Sequence, residues 1–404
     1  RDVAPSRGLG DVYKRQVWKR IGEDKWVLMY DVYSVIPHNF AFIETSDFVN
    51  FKNLGRFNEG VMKTTNFTAP KHGAVIHLTM EEAERLESYW QKNKRKYVST
   101  ASIRKNPVLP GFYADPEVMY SEKTGRYYIY PTTDGILNWG STAFKAFSSD
   151  DLVNWKEEGV ILDLKDVSWA KKNAWAPWII EKKQADGNYK YYYYYTAEQQ
   201  IGVAVADSPT GPFIDSGTPL IDKVRPGGMS KGQNIDPDVF TDPVSGKTYL
   251  YWGNYYMAVC ELNEDMVSIK PNTTKILIDN DAYYSEAAHV FYRNGYYYFT
   301  WSKNDTRSPE YQVRYVRAKS PVDPIDASKS EVILCKKPEQ GIFGTGHHSV
   351  LPLPGKDEWR IVYHRFKFPD AVTMGRNAGF HREVCIDKLE FDENDSIIKI
   401  VPTL

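Results

Sequence analysis

Three carboxylates stand at matching places in three strand-rich stretches: Asp115 in NPVLPGFYADPEVMY, Asp236 in NIDPDVFTDPVSGKTYLYWGN and Glu286 in YYSEAAHVFYRNGYYYF, each shortly before a glycine turn. Taken alone, Ala114-Asp115-Pro116 is an ordinary turn signal, with the Asp bonding its own backbone. Pro116 also fixes its own φ and biases Asp115 away from the helical region, so an extended segment of limited freedom is expected to hold the carboxylate still. An acid at the equivalent place in three units favours chemistry over turns. One carboxylate can activate a water, an opposing carboxylic acid can protonate a leaving oxygen, and a third nearby can keep that acid protonated by like-charge repulsion. With the first two roughly 6.5–9.5 Å apart, such a set suits the hydrolysis of a glycosidic bond with inversion.

These acids converge only if the fold carries distant segments to one axis. A turn containing Gly or Asp, then a burst of β-rich aromatic residues, recurs in KTGRYYIYPTTD near Gly125, ADGNYKYYYYY near Gly187, VSGKTYLYWGN near Gly246, RNGYYYFTWS near Gly295 and LPGKDEWRIVYHR near Gly355. Turn chemistry and composition predict hairpins or strand starts there. Five units at a spacing of roughly 50–60 residues predict an all-β fold, a five-bladed β-propeller over residues 99–404, whose innermost strands surround one axis. The one strong helical stretch is Thr79 to Val98, where Thr79 and Glu82 form a capping box and acids lead bases, so it reads as a helical linker. Before it, ETSDFVNFKNLGRF echoes SSDDLVNWKEEGVIL of the main domain, and Thr64 to Thr79 reads as a closing blade. Residues 17–98 are therefore expected to be a partial second propeller-like fragment ending in the helix. Residues 1–16 have neither helical nor strand periodicity and read as a non-native leader on a chain whose true start is missing.

Composition narrows the partner. With 51 Lys and Arg against 52 Asp and Glu, no basic excess exists to attract nucleic acid or an anionic membrane. No apolar run approaches the roughly 18 residues of a membrane helix. The outlier is aromatic content, 29 Tyr and 11 Trp, which suits half-exposed strands and equally the apolar faces of sugar rings. Cys260, Cys335 and Cys385 are widely separated and follow no metal or disulfide spacing, so buried free thiols are expected.

Together NPVLPGFYADPEVMY, WAPWI, NIDPDVF, SEAAHVFYRNGYYYF and GTGHHSVL resemble the motifs of glycoside hydrolase family 43, in order and spacing, over about residues 104 to 404. The resemblance implies a five-bladed propeller, inverting chemistry, and exo-acting removal of α-L-arabinofuranose or β-D-xylose from plant oligosaccharides or polysaccharides, with galactofuranose as a further possibility. It implies Asp115 as general base, Asp236 as the residue that tunes and orients the acid, and Glu286 as general acid, with Asp238 as the alternative to Asp236. Phe112, Trp175, His289 and Arg382 are the implied sugar-binding residues; Trp175 is a funnel wall, and Arg382 could instead form an ion pair with Glu383 or Asp387. No cofactor is required for the chemistry. His347 resembles a histidine near the axis that helps hold a hydrated cation, often Ca²⁺, although it could be a core histidine and His348 the inward one. Where the family often has Glu-Gly-Pro-His, this chain has Glu286-Ala287-Ala288-His289, which keeps the acid and the His. A secreted or periplasmic bacterial protein is the expected setting. A non-catalytic glycan-binding propeller is the competing reading, but it has no need of three equivalent acids.

Overall fold

The computed structural model describes residues 15–32, 39–57, 78–86, 88 and 105–404. The chain divides into two compact units, Arg1–Ser99 and Thr100–Leu404. No helix among the described residues is long and apolar enough to cross a membrane.

The first unit contains one antiparallel sheet with strands β1 (Arg15–Lys19), β2 (Trp26–Val32), β3 (Asn39–Thr45) and β4 (Lys52–Arg56) in that order. Arg15 and Gln16, expected within the leader, pair with Tyr30 and Met29 and so belong to the sheet. Alternation of buried and half-buried residues along β2 puts Val27 and Met29 against Phe40, Phe42 and Phe57. The echo between the two sequences is atomic. Asp47 Oδ1 accepts the N–H groups of Val49 and Asn50 at 2.8 and 2.7 Å, and Thr45 Oγ1 accepts that of Phe48 at 2.8 Å. In the second unit Asp151 Oδ1 accepts from Val153 and Asn154 at 2.9 and 2.8 Å, and Ser149 Oγ from Leu152 at 2.9 Å. The capping box forms too: Glu82 Oε2 accepts the Thr79 N–H at 2.8 Å, and Thr79 Oγ1 the Glu82 N–H at 3.2 Å, at the head of helical residues 80–86. The expected closing blade lies, over 64–77, outside the described residues, as does most of the helix beyond 86.

The second unit is built from five up-and-down antiparallel sheets. They are β5–β8 (Tyr113–Ser121, Arg126–Thr133, Ala143–Ser149, Lys156–Asp163), β9–β12 (Trp175–Lys183, Tyr189–Ala197, Gln200–Ala206, Ile214–Asp215), β13–β16 (Asp238–Thr241, Thr248–Trp252, Tyr256–Glu261, Lys275–Asp279), β17–β20 (Glu286–Arg293, Tyr296–Lys303, Gln312–Ala318, Glu331–Leu334) and β21–β23 (Gly346–Pro352, Trp359–Phe366, Arg382–Leu389). Gly125, Gly187, Gly246, Gly295 and Gly355 all have positive φ and sit in the tight turns joining the first two strands of each sheet, as the repeated motif predicts.

Five hydrophobic clusters of this unit are each shared by two sheets. Phe144 and Tyr130 pack with Tyr193 and Tyr195; Tyr194 with Leu250 and Trp252; Tyr251 with Phe299 and Trp301; Tyr298 with Ile361 and Tyr363. The fifth cluster joins the last sheet to the first, Val362 and Val384 meeting Val118 and Ile129. The ends of this unit meet as well: Lys105 N–H donates to Leu404 O at 2.8 Å, and Asn106 Oδ1 accepts the Ile386 N–H at 2.8 Å while its Nδ2 donates to Ile386 O at 3.2 Å. The Asn106 amide thereby imitates a backbone partner for β23.

Candidate active site

Near the start of every sheet one non-glycine residue turns to positive φ: Asp115 (49°), Ala176 (41°), Asp236 (60°), Ala287 (58°) and His347 (45°). In β5, β9, β17 and β21 the ladder slips at this point, a bulge that re-aims the side chain. The extended presentation of Asp115 expected from Pro116 is thus corrected: a left-handed bulge fixes it, and its carboxylate faces Arg382 rather than its own turn.

These strained amides have fixed partners. Asp115 N–H donates to His364 Nδ1 at 3.2 Å, Ala176 N–H to Thr132 Oγ1 at 2.7 Å, Asp236 N–H to Thr196 Oγ1 at 3.0 Å, and His347 N–H to Ser302 Oγ at 2.8 Å. Each acceptor lies at the same register on the second strand of the preceding sheet. In the third sheet that register falls on Gly253, which has no side chain; a Cβ there would lie 2.3 Å from Tyr256 O. The fifth amide, of Ala287, instead donates to Asp236 Oδ2 at 3.0 Å. Gly253 therefore leaves to Asp236 the task of pinning the residue next to Glu286.

Asp115, Asp236, Glu286, Trp175, His347 and Arg382 line one cleft of about 410 Å³. Asp115 Oδ1 lies 3.0 Å from Arg382 Nη1, 3.1 Å from His347 Nδ1 and 3.2 Å from His364 Nδ1. Burial opposes its ionisation, but the Arg382 guanidinium and the two imidazoles outweigh burial and hold the carboxyl well below the usual range. Arg382 is clamped from behind by buried Asp134, whose Oδ2 accepts both its N–H and its Nε–H at 2.9 Å. Burial holds both imidazoles down, His364 to about 4, so they stay neutral near pH 7.

Glu286 is pushed the other way. Burial and the charge of Asp115 raise it to about 7, against the hydroxyl of Tyr311 (2.7 Å to Oε1) and the amide of Asn254 (2.9 Å to Oε2), which favour the ionised form. Asp236 is raised by burial, by Glu286 and by Asp115, so the neighbouring pair does not carry two full charges. Tyr311 also stacks flat on His364, with ring centroids 5.5 Å apart, and so touches the surroundings of both Glu286 and Asp115.

Two expected sugar contacts are corrected. His289 is buried away from the cleft, its Nδ1 2.8 Å from Asp238 Oδ1 and its Nε2 accepting the Val350 N–H at 3.2 Å. Phe112 packs edge-on against His381 beside Gly135 and does not line the cleft. Asp238, bonded to His289 and the Val290 N–H, is a structural acid, not the alternative to Asp236. Arg382 pairs with neither Glu383 nor Asp387, since Asp115 and Asp134 occupy it. Trp175 is a wall: its Nε1 donates to Trp139 O at 2.6 Å, and Trp139 is tied to Gly379 O at 2.9 Å.

His347 Nδ1 faces Asp115, the Arg382 guanidinium stands on the same carboxylate, and no group of three His, Cys, Asp or Glu among the described residues is arranged to hold a metal. His348 turns inward to Thr300 Oγ1 at 2.8 Å. Asn254, Tyr311, Asp134 and His364 were not singled out from sequence, although Asp134, Asn254 and His364 each lie at the end of a repeated glycine-turn stretch, the signal that could have found them; Tyr311 lies in none.

The family profile described as Glycosyl hydrolases family 43 matches residues 104–397. A β-D-galactofuranosidase of Aspergillus niger is 33% identical over 78% of this chain and 91% of its own length. A xylosidase/arabinosidase of Bacteroides ovatus is 28% identical over 73% of this chain and 97% of its own. Among solved structures, an α-L-arabinofuranosidase from Clostridium thermocellum superposes with a TM-score of 0.57 at 30% identity, covering 72% of this chain and 94% of that one. A thermostable family-43 glycoside hydrolase gives 0.61 at 28% identity, covering 74% and 96%.

Proposed function

From the premise that this chain belongs to glycosyl hydrolases family 43 and is a glycoside hydrolase, we propose that it removes a terminal α-L-arabinofuranosyl or β-D-xylosyl residue with inversion, Asp115 acting as general base and Glu286 as general acid. The observation that carries this reading is the opposite displacement of two carboxyl groups in one cleft: Asp115 held ionised, Glu286 held protonated to about 7. Asp115 takes a proton from water as the water attacks the anomeric carbon. Glu286 gives its proton to the departing oxygen. Asp236 fixes the Ala287 amide and thereby the backbone that carries the acid.

Five clusters shared between successive sheets, the last joining the final sheet to the first, support a five-bladed propeller over residues 99–404 with the cleft at its axis. The shared Asx turn supports residues 17–98 as a propeller-like fragment. Trp139 and Trp175 close one flank of the cleft, which supports exo action on a chain end. No step passes through a cation, and a plant-type glycan secreted or periplasmic enzymes meet is the fitting substrate. The galactofuranosidase relative favours β-D-galactofuranose as the second candidate sugar. Hydrolysis of the 4-nitrophenyl α-L-arabinofuranoside, β-D-xyloside and β-D-galactofuranoside separates the three, and cleavage of none would return the chain to glycan binding alone.

A further inference from the structure

Among residues 105–404, Tyr255 and Tyr283 are the only Phe, Tyr or Trp side chains left exposed, at 53% and 43%. Every other aromatic ring there is at least partly covered, so these two mark one place on the surface. Both flank the acid. Tyr255 N–H donates to Ser285 O at 2.8 Å, and Tyr283 lies three residues before Glu286. Tyr255 lines the cleft and holds φ at 66°, an unfavourable conformation for a bulky residue, which persists because its neighbours fix it: Asn254 N–H donates to Gln233 O at 3.0 Å, and Asn254 Nδ2 to Glu286.

On the other side of Glu286, Ser302 is its strand partner and Lys303 follows, ending β18. Lys303 lines the same cleft, is half-buried, and its Nζ has no hydrogen bond or ion pair among the described residues. Asp305 is held by Arg307 at 2.6 Å, and Arg314 lies over the Tyr283 ring at 5.3 Å. Asp281, which accepts the Tyr283 N–H at 2.6 Å, attracts Lys303 without a direct ion pair. A partly desolvated ammonium with no carboxylate in direct contact is able to take a ligand anion.

We propose that Tyr255 and Lys303 form the subsite for the leaving part of the substrate, Tyr255 stacking on the sugar ring released and Lys303 binding a carboxylate on it, so that the preferred substrate carries the cleaved residue on an acidic sugar. The inference rests on the assignment of Glu286 as acid, because the leaving group must depart beside the proton donor. An aromatic face suits the apolar face of the ring, and the lysine reads its charge.

The test uses two oligosaccharides that differ only in whether the ring beyond the scissile bond is a hexuronate or its carboxyl-reduced hexose. The wild-type protein is expected to favour the acidic one roughly three- to ten-fold in kcat/KM, a preference that shrinks in 0.5 M salt. In Lys303→Gln the ratio should fall to about one, in Lys303→Arg it should persist, and in Tyr255→Ala KM should rise for both substrates with the ratio unchanged. A wild-type ratio of one, or a preference surviving in Lys303→Gln, overturns the subsite while leaving the glycosidase reading intact. Should neither oligosaccharide be cleaved, that reading fails, and calorimetric binding of the same pair still decides: tighter binding of the acidic one, lost in Lys303→Gln, upholds the subsite, and equal binding overturns it.

Discussion

Asp236 Oδ2 accepts the Ala287 N–H at 3.0 Å, so a carboxyl of one sheet fixes the backbone beside Glu286, which opens the next. Asp236→Asn keeps an acceptor in its amide oxygen but removes the carboxyl. Burial, Glu286 and Asp115 raise Asp236 as well, and burial and Asp115 hold Glu286 up, so the substitution takes little charge from beside the acid. The upper limb of the pH–rate profile should therefore stay within about half a unit of the parent, with kcat lower by roughly ten- to a hundred-fold. A limb moved down by about a unit or more would mean that an ionised Asp236 keeps the proton on Glu286.

Tyr311→Phe is expected to move the same limb. The Tyr311 hydroxyl donates to Glu286 at 2.7 Å and favours the ionised carboxylate. Without it the proton is held longer, and the limb should rise by roughly half to one unit. pH profiles of the two variants beside the parent give the comparison directly, and a Tyr311→Phe limb that falls or stays in place would contradict it.

Asp115→Asn keeps the shape of the side chain but cannot accept a proton from water. Turnover is expected to fall by roughly 10²–10⁴-fold. The Arg382 guanidinium retains Asp134, so the cleft should stay folded, and circular dichroism and thermal melting should show the parent fold with a moderate loss of stability. Near-parental rates would remove Asp115 from the mechanism.

Glu286 makes stability depend on pH. Its folded pKa of about 7 lies above the ordinary 4.5, so between those values the folded chain keeps a proton that the unfolded chain has released. Its contribution is therefore present below 4.5 and is lost as pH rises through 7. Glu286→Gln cannot ionise, and at pH 8 it should be more stable than the parent by roughly 1–3 kcal/mol in denaturant melts, with little difference at pH 4. Equal stability at both pH values would mean that Glu286 is not held protonated.

The five glycine turns and the three acids were legible because each depends on local chemistry: Gly at positive φ, and an acid near one place in a repeat, although the structure sets Glu286 one residue ahead of the place that Asp115 and Asp236 hold and Ala287 takes in its sheet. What escaped was whatever depends on tertiary approach. The positive φ of Asp115 contradicts the local bias of a residue before proline and exists because the second strand of the last sheet supplies His364 Nδ1. His289 follows the acid by three residues, yet the bulge at Ala287 turns it toward Asp238 instead of the sugar. Asn254 reaches Glu286 from the end of a repeated stretch, next to Gly253.

The stereochemical outcome is the most demanding expectation. Water activated by Asp115 attacks the face opposite the oxygen protonated by Glu286, and no covalent sugar intermediate intervenes, so the released sugar first appears with its anomeric configuration reversed. Proton NMR in the first minutes of hydrolysis should show the inverted anomer, with the other growing in only by mutarotation. Added methanol should not capture the sugar with retention, since no glycosyl-enzyme exists to be intercepted. A retained anomer would require a carboxylate within bonding reach of the anomeric carbon. Asp115, pinned by Arg382, His347 and His364, would then be a nucleophile rather than a base, and the division of roles with Glu286 would have to be rebuilt.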